Sequence, residues 1–312
     1  MGQMLNKERK TSNKKVMAYL MIASVLILWG VTPTINKYMN TKYSVAFRLA
    51  VIAFISAISL LFICWNKLKN LNSKYLKTAI PTGIFVSLAS LVQKIGLWYT
   101  TPAKYAFLEN LSCVVVPLIL FFTIKKKPSL MTIIACVLCL VGSFVLAGNF
   151  SGGAFTFGLG EILCALAGVF YGINIAYTGM RIKKFDTLLY LFVQLSVSAV
   201  VGLITAVAFA IIPGANGQPI EAIKFSWDID GLLLLLVLSL ICNVLCWFLR
   251  TNAMKYVNPT AVSIIMPFSS VLASIMSIIL GYDVFSYELL IGGSIALFAV
   301  ILSGFADIKY KK

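Results

Sequence analysis

The sequence lacks histidine altogether and is poor in acidic residues, with 10 Asp and Glu against 26 Lys and Arg. Without histidine it has no imidazole proton relay, no histidine metal ligand and no HExxH zinc helix. It also has no GxxxxGK[ST] phosphate loop, so it carries no Walker-type ATPase site. No hydrophilic stretch is long enough to fold by itself, and no carboxylates cluster within the apolar runs. These absences argue against an enzyme.

Apolar residues dominate what is present, at 60% of the 312 residues, whereas charged residues make up 12%. Soluble domains average about 45–50% apolar and about 25% charged residues, so the chain is typical of a membrane protein. Runs of about 20 apolar residues, each long enough to cross a bilayer, predict an all-α polytopic protein with ten transmembrane helices. The predicted spans cover residues 16–36, 44–65, 77–99, 103–124, 129–148, 158–179, 186–212, 231–251, 259–281 and 287–306.

The basic residues indicate how these spans are oriented. With a cytoplasmic N-terminus, twenty Lys and Arg, Arg250 among them, fall at the inner side and four at the outer side. The positive-inside rule then predicts an integral protein of the plasma (inner) membrane with both termini cytoplasmic. The net charge of +16 is therefore mostly an orientation signal and gives no support to nucleic-acid binding. Only Arg48 and Lys94 remain within the spans.

The seven cysteines all lie in apolar runs. Cys136 and Cys139 have the spacing of half a metal site, but no second pair lies in an aqueous setting. We interpret all seven as buried apolar thiols and expect no metal and no cofactor.

Ten spans with both termini on one side predict two halves of five spans each. Because five is odd, the second half begins on the opposite side of the membrane and is inverted relative to the first. Matching features recur in both halves: Trp29-Gly30 with Tyr171-Gly172, and Pro117 with Pro267. The predicted organisation is a basic tail (1–15), a first five-helix repeat (16–148), a Gly-rich connection (149–157), a second repeat (158–306) and a basic tail (307–312).

Several segments resemble the ten-helix drug/metabolite transporter superfamily, EamA type. They are Trp29-Gly30-Val31-Thr32-Pro33, Phe47-Arg48, Gly96–Leu118 and Ala253–Ser274. The resemblance implies an inverted-repeat bundle with a central pocket between helices one to four and six to nine. It also implies transport of small metabolites such as amino acids, or of drugs. One departure is Gly281-Tyr282-Asp283, where the family often has Gly-Glu; it affects helix capping or packing rather than substrate choice.

Charged groups inside a bilayer cost about 2.5–3.5 kcal/mol each, so they call for a reason. Lys94 and Glu109 lie on consecutive antiparallel helices, roughly 7–10 Å below the predicted outer end, and can pair. Arg48 enters span two at a similar depth. If all three face the interior, the pocket holds two positive charges and one negative and favours a carboxylate or phosphate. The alternative for Arg48 and Lys94 is that they extend to the outer interface.

The remaining candidates are uncharged. Trp29, Tyr99 and Tyr171 are predicted to form apolar walls of the substrate path, and Asn174 and Asn243 to face a cavity or to make interhelical hydrogen bonds. Pro33, Pro117 and Pro267 are predicted to kink their helices, either as gates or as static packing features.

The sequence therefore predicts a secondary active transporter that works by alternating access, with protons as a candidate coupling ion through Glu109. Its partners would be a small organic solute and the lipid bilayer, with the chain as a monomer or a homodimer. A facilitative channel-like pore and a flippase for lipid-linked substrates remain open alternatives.

Overall fold

The computed structural model describes residues 2–125, 127–147, 158–213 and 220–309, and the regular elements in these ranges are helices. We number the ten main helices α1 to α10. They are α1 (Asn13–Met39), α2 (Val45–Ile63), α3 (Ser73–Tyr99), α4 (Pro102–Ile124), α5 (Leu130–Ala147), α6 (Leu159–Lys184), α7 (Thr187–Ile211), α8 (Ile229–Ala253), α9 (Pro259–Ile279) and α10 (Tyr287–Lys309). The prediction of an all-helical membrane protein is confirmed.

Eight of these helices are long and apolar enough to cross a membrane. The other two, α5 and α10, are apolar over Leu130–Gly142 and Leu290–Ala299 among the residues whose side chains the structure describes. The ten predicted spans thus correspond to ten helices in the described ranges, eight of which have the length and composition of a membrane span.

The helices pack in a pattern that repeats between the two halves. Helix α3 packs on α6 as α1 packs on α8, and α4 packs on α6 as α1 packs on α9. Helix α2 packs on its counterpart α7, and α5 on its counterpart α10. Exchanging each helix with the one five places later leaves this set of contacts unchanged, as expected for two repeats related by a twofold axis.

Several helices next to the bundle interior are interrupted. Helix α1 breaks at Val31 just before Pro33, and α9 breaks at Met266 and Pro267. Helix α4 passes through a short 3₁₀ turn at Glu109–Leu111, six residues before Pro117. Pro117 itself lies inside the helical segment Ser112–Ile124, and its predicted kink stays a prediction.

Two ends of the bundle can be distinguished. The 40–44 end contains the α1–α2 connection, and the 64–72 end contains the α2–α3 connection. Under the positive-inside prediction, the 40–44 end is the outer one.

At the 40–44 end, residues 220–228 form a strap that binds the α1–α2 connection. The Glu221 carboxylate accepts hydrogen bonds from the Val45 and Ala46 amides, at 2.5 and 2.9 Å, and so caps α2. Lys42 Nζ lies 2.8 Å from Asp228 Oδ2. The Tyr43 hydroxyl donates to the Ser226 carbonyl at 2.8 Å. The strap thereby holds the N-terminus of α2 in place.

The strap keeps its charges over the physiological pH range. Hydrogen bonding to Asp228 raises the pKa of Lys42, and hydrogen bonding to Lys42 lowers the pKa of Asp228. A lowered carboxyl pKa contributes stability above its unfolded value near pH 4, and a raised lysine pKa contributes below its unfolded value near pH 10. Between about pH 4 and about pH 10 the contact is therefore fully formed.

Replacing Asp228 by asparagine should consequently lower the melting temperature slightly and leave the shape of the pH profile of transport unchanged. The pair is partly exposed, with 16% and 58% of the two side chains accessible, and exposed pairs contribute little. Uptake by proteoliposomes across pH 5 to 8 checks this expectation, and a profile displaced by the substitution would contradict it.

Asp283 caps helix α4 from the end of α9. Its Oδ2 atom accepts hydrogen bonds from the Ala103 amide at 3.3 Å and from the Ser277 hydroxyl at 2.5 Å. Gly281 has φ +76° and turns the chain toward this contact. The acid at this departure from the family pattern thus has the capping role expected for it.

Helices α3 and α6 approach closely at a pair of glycines. A Cβ atom on Gly160 would lie 2.9 Å from the Gly96 carbonyl oxygen and 2.9 Å from backbone and side-chain atoms of Tyr99. Small residues permit such backbone approach between membrane helices.

We expect Gly160→Val to destabilise the protein, by about 1–3 kcal/mol or more, because the added atoms overlap backbone that cannot rotate away. Gly293→Val is the matched control, since nothing lies within 4 Å of its added Cβ. Melting temperatures in detergent compare the two variants. Equal losses would show that the α3–α6 contact is not the cause.

Candidate functional site

A polar cavity lies between the two repeats, with an empty volume of about 1180 Å³ including its part open to solvent. Its lining comes from α1 to α4 and α6 to α9, the eight helices that the family resemblance implies. Six predicted residues line it: Trp29, Pro33, Lys94, Glu109, Tyr171 and Asn243.

Glu109 is held on one wall of the cavity by Gln93. Gln93 Nε2 donates to Glu109 Oε2 at 2.7 Å, and the Tyr171 hydroxyl donates to Gln93 Oε1 at 2.9 Å. The Ser90 hydroxyl lies 3.0 Å from the same tyrosine oxygen. The 3₁₀ turn at Glu109–Leu111 positions this carboxylate where α4 changes its winding. Glu109 is thus fixed by neutral hydrogen-bonding groups.

Lys94 faces the same cavity from α3, one residue beyond Gln93. In the part of the chain that the structure describes, no ion pair joins it to Glu109. The expected pairing of Lys94 with Glu109 is therefore not formed. Both charges instead lie on the cavity wall, where a solute could reach each of them.

Arg48 is not in the cavity, contrary to the expectation for it. Its side chain is 0% exposed and is enclosed at the α1–α2 corner. Its guanidinium donates to the Asn36 carbonyl at 3.2 Å and to Asn40 Oδ1 at 2.7 Å. Nor does it extend to the membrane interface, because these bonds hold it inward. Its role is to tie α2 to the end of α1.

The second cation of the cavity is Arg250 rather than Arg48. It is 2% exposed and lines the cavity from α8. Its guanidinium lies 4.0 Å from the centre of the Trp247 ring and 5.4 Å from that of Trp29, in cation–π contact with both. One nitrogen donates to Asn174 Oδ1 at 2.9 Å. Counting Arg250 among the orientation charges was therefore wrong.

One signal in the sequence pointed to Arg250. An offset of 157 residues between the repeats aligns Gln93 and Lys94 with Arg250 and Thr251. The two cations of the cavity are thus at nearly equivalent positions of α3 and α8.

Helix α8 is wound as a π-helix at Val237–Leu245, beside the cavity. π-Helical winding is rare overall, and where it occurs it is often at a functional site. The Cys242 carbonyl accepts a hydrogen bond from Trp29 Nε1 at 2.9 Å, and Asn243 Nδ2 donates to the Ser56 hydroxyl at 3.1 Å. The π segment therefore ties α8 to α1 and α2 around the cavity and orients Trp29.

The other predicted residues lie outside the lining. Tyr99 is 57% exposed at the end of α3 and forms no cavity wall. Asn174 is buried behind Arg250 and makes an interhelical bond, the second of its two expected roles. Pro267 is buried at the break in α9, next to the lining residues Met266 and Ser269. All seven cysteines are buried, as interpreted from the sequence.

The cavity thus combines two cations, Lys94 and Arg250, with one carboxylate, Glu109, and two indole rings. A family model described as the EamA-like transporter family matches residues 16–148 and 158–305. The chain belongs to the EamA-like transporter family. As a family member it is a membrane transporter, and its two matched ranges are the two repeats.

Solved structures support the same fold. Twenty-nine solved chains are similar in structure. One of them, titled only as the crystal structure of a protein, aligns with a TM-score of 0.68 over 95% of this chain and 99% of its own. Its sequence identity is 13%, so this likeness concerns the fold alone. No curated protein matches the chain in sequence.

Proposed function

We propose that this EamA-family protein is a secondary active transporter that carries a small organic solute with an anionic group, by alternating access. The observation that supports this best is the cavity itself. It lies between the two repeats and contains Lys94, Arg250 and Glu109. Intramembrane charges that face a cavity commonly mark a solute or ion pathway.

The chemistry of the cavity favours a metabolite such as an amino acid or a related carboxylate. Sites for small molecules combine apolar walls with a few polar groups. In this proposal Trp29 and Tyr171 provide the walls, and the two cations bind the anionic group. Glu109 balances one positive charge when ionised and can carry a proton.

The proposed orientation places the 40–44 end outside and both termini in the cytoplasm of a cell with the protein in its plasma (inner) membrane. An impermeant amine reagent applied to intact cells tests this. It should label Lys224, in the strap, and spare Lys69, in the α2–α3 connection. Labelling of Lys69 but not Lys224 would indicate the opposite orientation.

A thermal-shift screen of the purified protein should first identify the solute. The panel contains neutral amino acids, dicarboxylates, sugar phosphates, organic cations and an undecaprenyl phosphate analogue. The proposal expects stabilisation by a small carboxylate or phosphate. Stabilisation by the polyprenyl compound alone would favour a flippase instead.

The solute found is then tested in proteoliposomes. A carrier gives uptake that saturates with concentration, and unlabelled solute inside the vesicles accelerates entry of labelled solute. Uptake that is linear in concentration and lacks this acceleration would favour a channel-like pore.

A further inference from the structure

A chain of buried polar groups closes the cavity toward the 64–72 end. Arg250 donates to Asn174 Oδ1, and Asn174 Nδ2 donates to the Thr82 carbonyl at 3.0 Å. The Thr82 hydroxyl lies 2.8 Å from the Tyr190 hydroxyl, which is 3.4 Å from that of Thr178. The chain therefore runs from the cavity lining into the closed part of the bundle.

The position of the chain along the helices places it directly beyond the cavity. On α3 the cavity lining extends as far as Val86, and Thr82 lies one turn further toward the 64–72 end. On α7 it extends to Leu195, and Tyr190 again lies about one turn further. Tyr190 then contacts an apolar cluster that includes Ala79, Met254 and Val257, all buried. The passage is thus closed by a polar layer over an apolar one.

This polar layer joins the two repeats. Thr82 belongs to α3 of the first repeat, whereas Asn174, Tyr190 and Arg250 belong to α6, α7 and α8 of the second. On its other face Arg250 contacts Trp29, from α1. The two repeats can separate at this level only if these hydrogen bonds break. The hydrogen-bonded chain therefore resists opening of the cavity at the 64–72 end.

Arg250 is the member of the chain that a solute can reach. It is buried and makes no ion pair with a carboxylate in the described residues, and its Nε atom lacks a hydrogen-bond partner there. A neutral amide and two indole faces are weaker partners for a guanidinium than an anion, which forms charge-assisted hydrogen bonds. An anionic group in the cavity therefore competes with Asn174 for Arg250.

We propose that the Arg250–Asn174–Thr82–Tyr190 chain is the closed gate of the cavity at the 64–72 end, and that an anionic solute opens it by drawing Arg250 away from Asn174. The second half of this proposal rests on the proposed transport of an anion. The first half does not, because the gate closes the passage whether or not a solute is bound. Asn174 is thus a positioning residue for the gate, acting through Arg250 and Thr82.

Cysteine accessibility tests the gate without any solute. Ala79→Cys places a reporter thiol in the apolar layer, and Ser90→Cys places one in the cavity. Each variant is reconstituted into proteoliposomes of known orientation, and the rate of thiol labelling is measured with an impermeant methanethiosulfonate added from the 64–72 side. In the otherwise unchanged chain, both reporters should be nearly unreactive from that side. With Asn174→Ala added, both should react at least about tenfold faster, because one substitution removes two bonds of the chain.

Gln194→Ala is the matched control for Asn174→Ala. Gln194 is a buried amide on α7, and neither end of its amide has a hydrogen-bond partner among the described residues. Its truncation should leave reporter reactivity unchanged. Equal acceleration by Gln194→Ala and Asn174→Ala would overturn the gate, and so would unchanged reactivity in Asn174→Ala protein with a normal melting temperature.

The opening step is tested with glutarate and its uncharged diester in the panel, together with the solute identified by the thermal-shift screen. An anionic compound that binds should accelerate reporter labelling from the 64–72 side, whereas the diester should not. Arg250→Lys, which keeps the charge but not the planar fork that reaches Asn174, should give fast labelling without any solute. Slow labelling of Arg250→Lys would overturn the role of Arg250. If the protein transports no anion but Asn174→Ala still opens the passage, the proposed function is wrong and the proposed gate is supported.

Discussion

Replacing Glu109 by glutamine is expected to abolish accumulation driven by a pH gradient while leaving solute exchange intact. Glutamine keeps the shape of the side chain and can still accept the hydrogen bond that Gln93 Nε2 donates at 2.7 Å. It cannot bind or release a proton. A gradient of one pH unit provides about 1.4 kcal/mol per proton, equivalent to about tenfold accumulation, and the variant should show none.

The measurement is uptake of the identified solute by proteoliposomes, with and without an imposed pH gradient. Glu161→Gln is the control, because Glu161 is also a buried carboxylate but lies outside the cavity lining, at the start of α6. Its carboxylate accepts from the Thr100 hydroxyl and the Gly158 amide, and glutamine retains an acceptor there. Gradient-driven accumulation by Glu109→Gln equal to that of the unchanged chain would remove Glu109 from the coupling step.

Replacing Lys94 by methionine is expected to weaken binding of an anionic solute by about 10–100-fold, since a hydrogen bond to a charged group contributes about 1.5–3 kcal/mol. Methionine has a similar length and an unbranched chain. No ion pair of Lys94 is lost with it in the described residues. The fold should therefore persist, with an unchanged or slightly higher melting temperature, because a charge on the cavity wall is removed.

Equilibrium binding is measured for the solute and for its ester, which lacks the carboxylate charge, so that a loss of charge recognition can be separated from a general loss of binding. Lys104→Met is the control, since Lys104 lies outside the lining and 3.9 Å from Glu161. The ester should bind the unchanged chain and Lys94→Met alike. If the anionic solute also binds both equally, Lys94 has no part in recognition.

Much of the fold could be predicted because hydropathy and length act locally. An apolar run of about 20 residues must be helical in a bilayer, since each backbone amide and carbonyl needs a partner within the segment. The ten helices therefore appear where the apolar runs are. The two repeats also left a trace in the sequence, because equivalent helices keep similar residues, such as Trp29-Gly30 and Tyr171-Gly172.

The cavity was only partly predictable. Lys94, Glu109 and Tyr171 were found from the cost of polar groups in the membrane and from the family resemblance, and they line the cavity. Arg48 was predicted to face the cavity and Arg250 to be an orientation charge, whereas Arg250 lines the cavity and Arg48 is buried at the α1–α2 corner. Depth along a helix does not say which side of the helix faces a cavity. At the break in α1 and the winding of α8, the rotational phase of the side chains changes, and hydropathy carries no record of that change.

The same limit applies to the prolines. Pro33 and Pro267 lie at interrupted helices, whereas Pro117 lies in a continuous one and the irregular turn of α4 falls at Glu109–Leu111. Proline removes a backbone hydrogen bond, but neighbouring helices decide whether the helix bends there or elsewhere.

The scarcity of charge, with no histidine and only ten acidic residues, by itself determined a membrane protein with helical spans, and the excess of lysine and arginine predicted its orientation. Those properties depend on the transfer of each segment from water to lipid, which is a sum over local residues. The tertiary structure alone decided that Arg250 rather than Arg48 joins Lys94 and Glu109, and that Asn174, Thr82 and Tyr190 close the passage beneath them. Those arrangements depend on how helices from two distant repeats rotate and pack against one another.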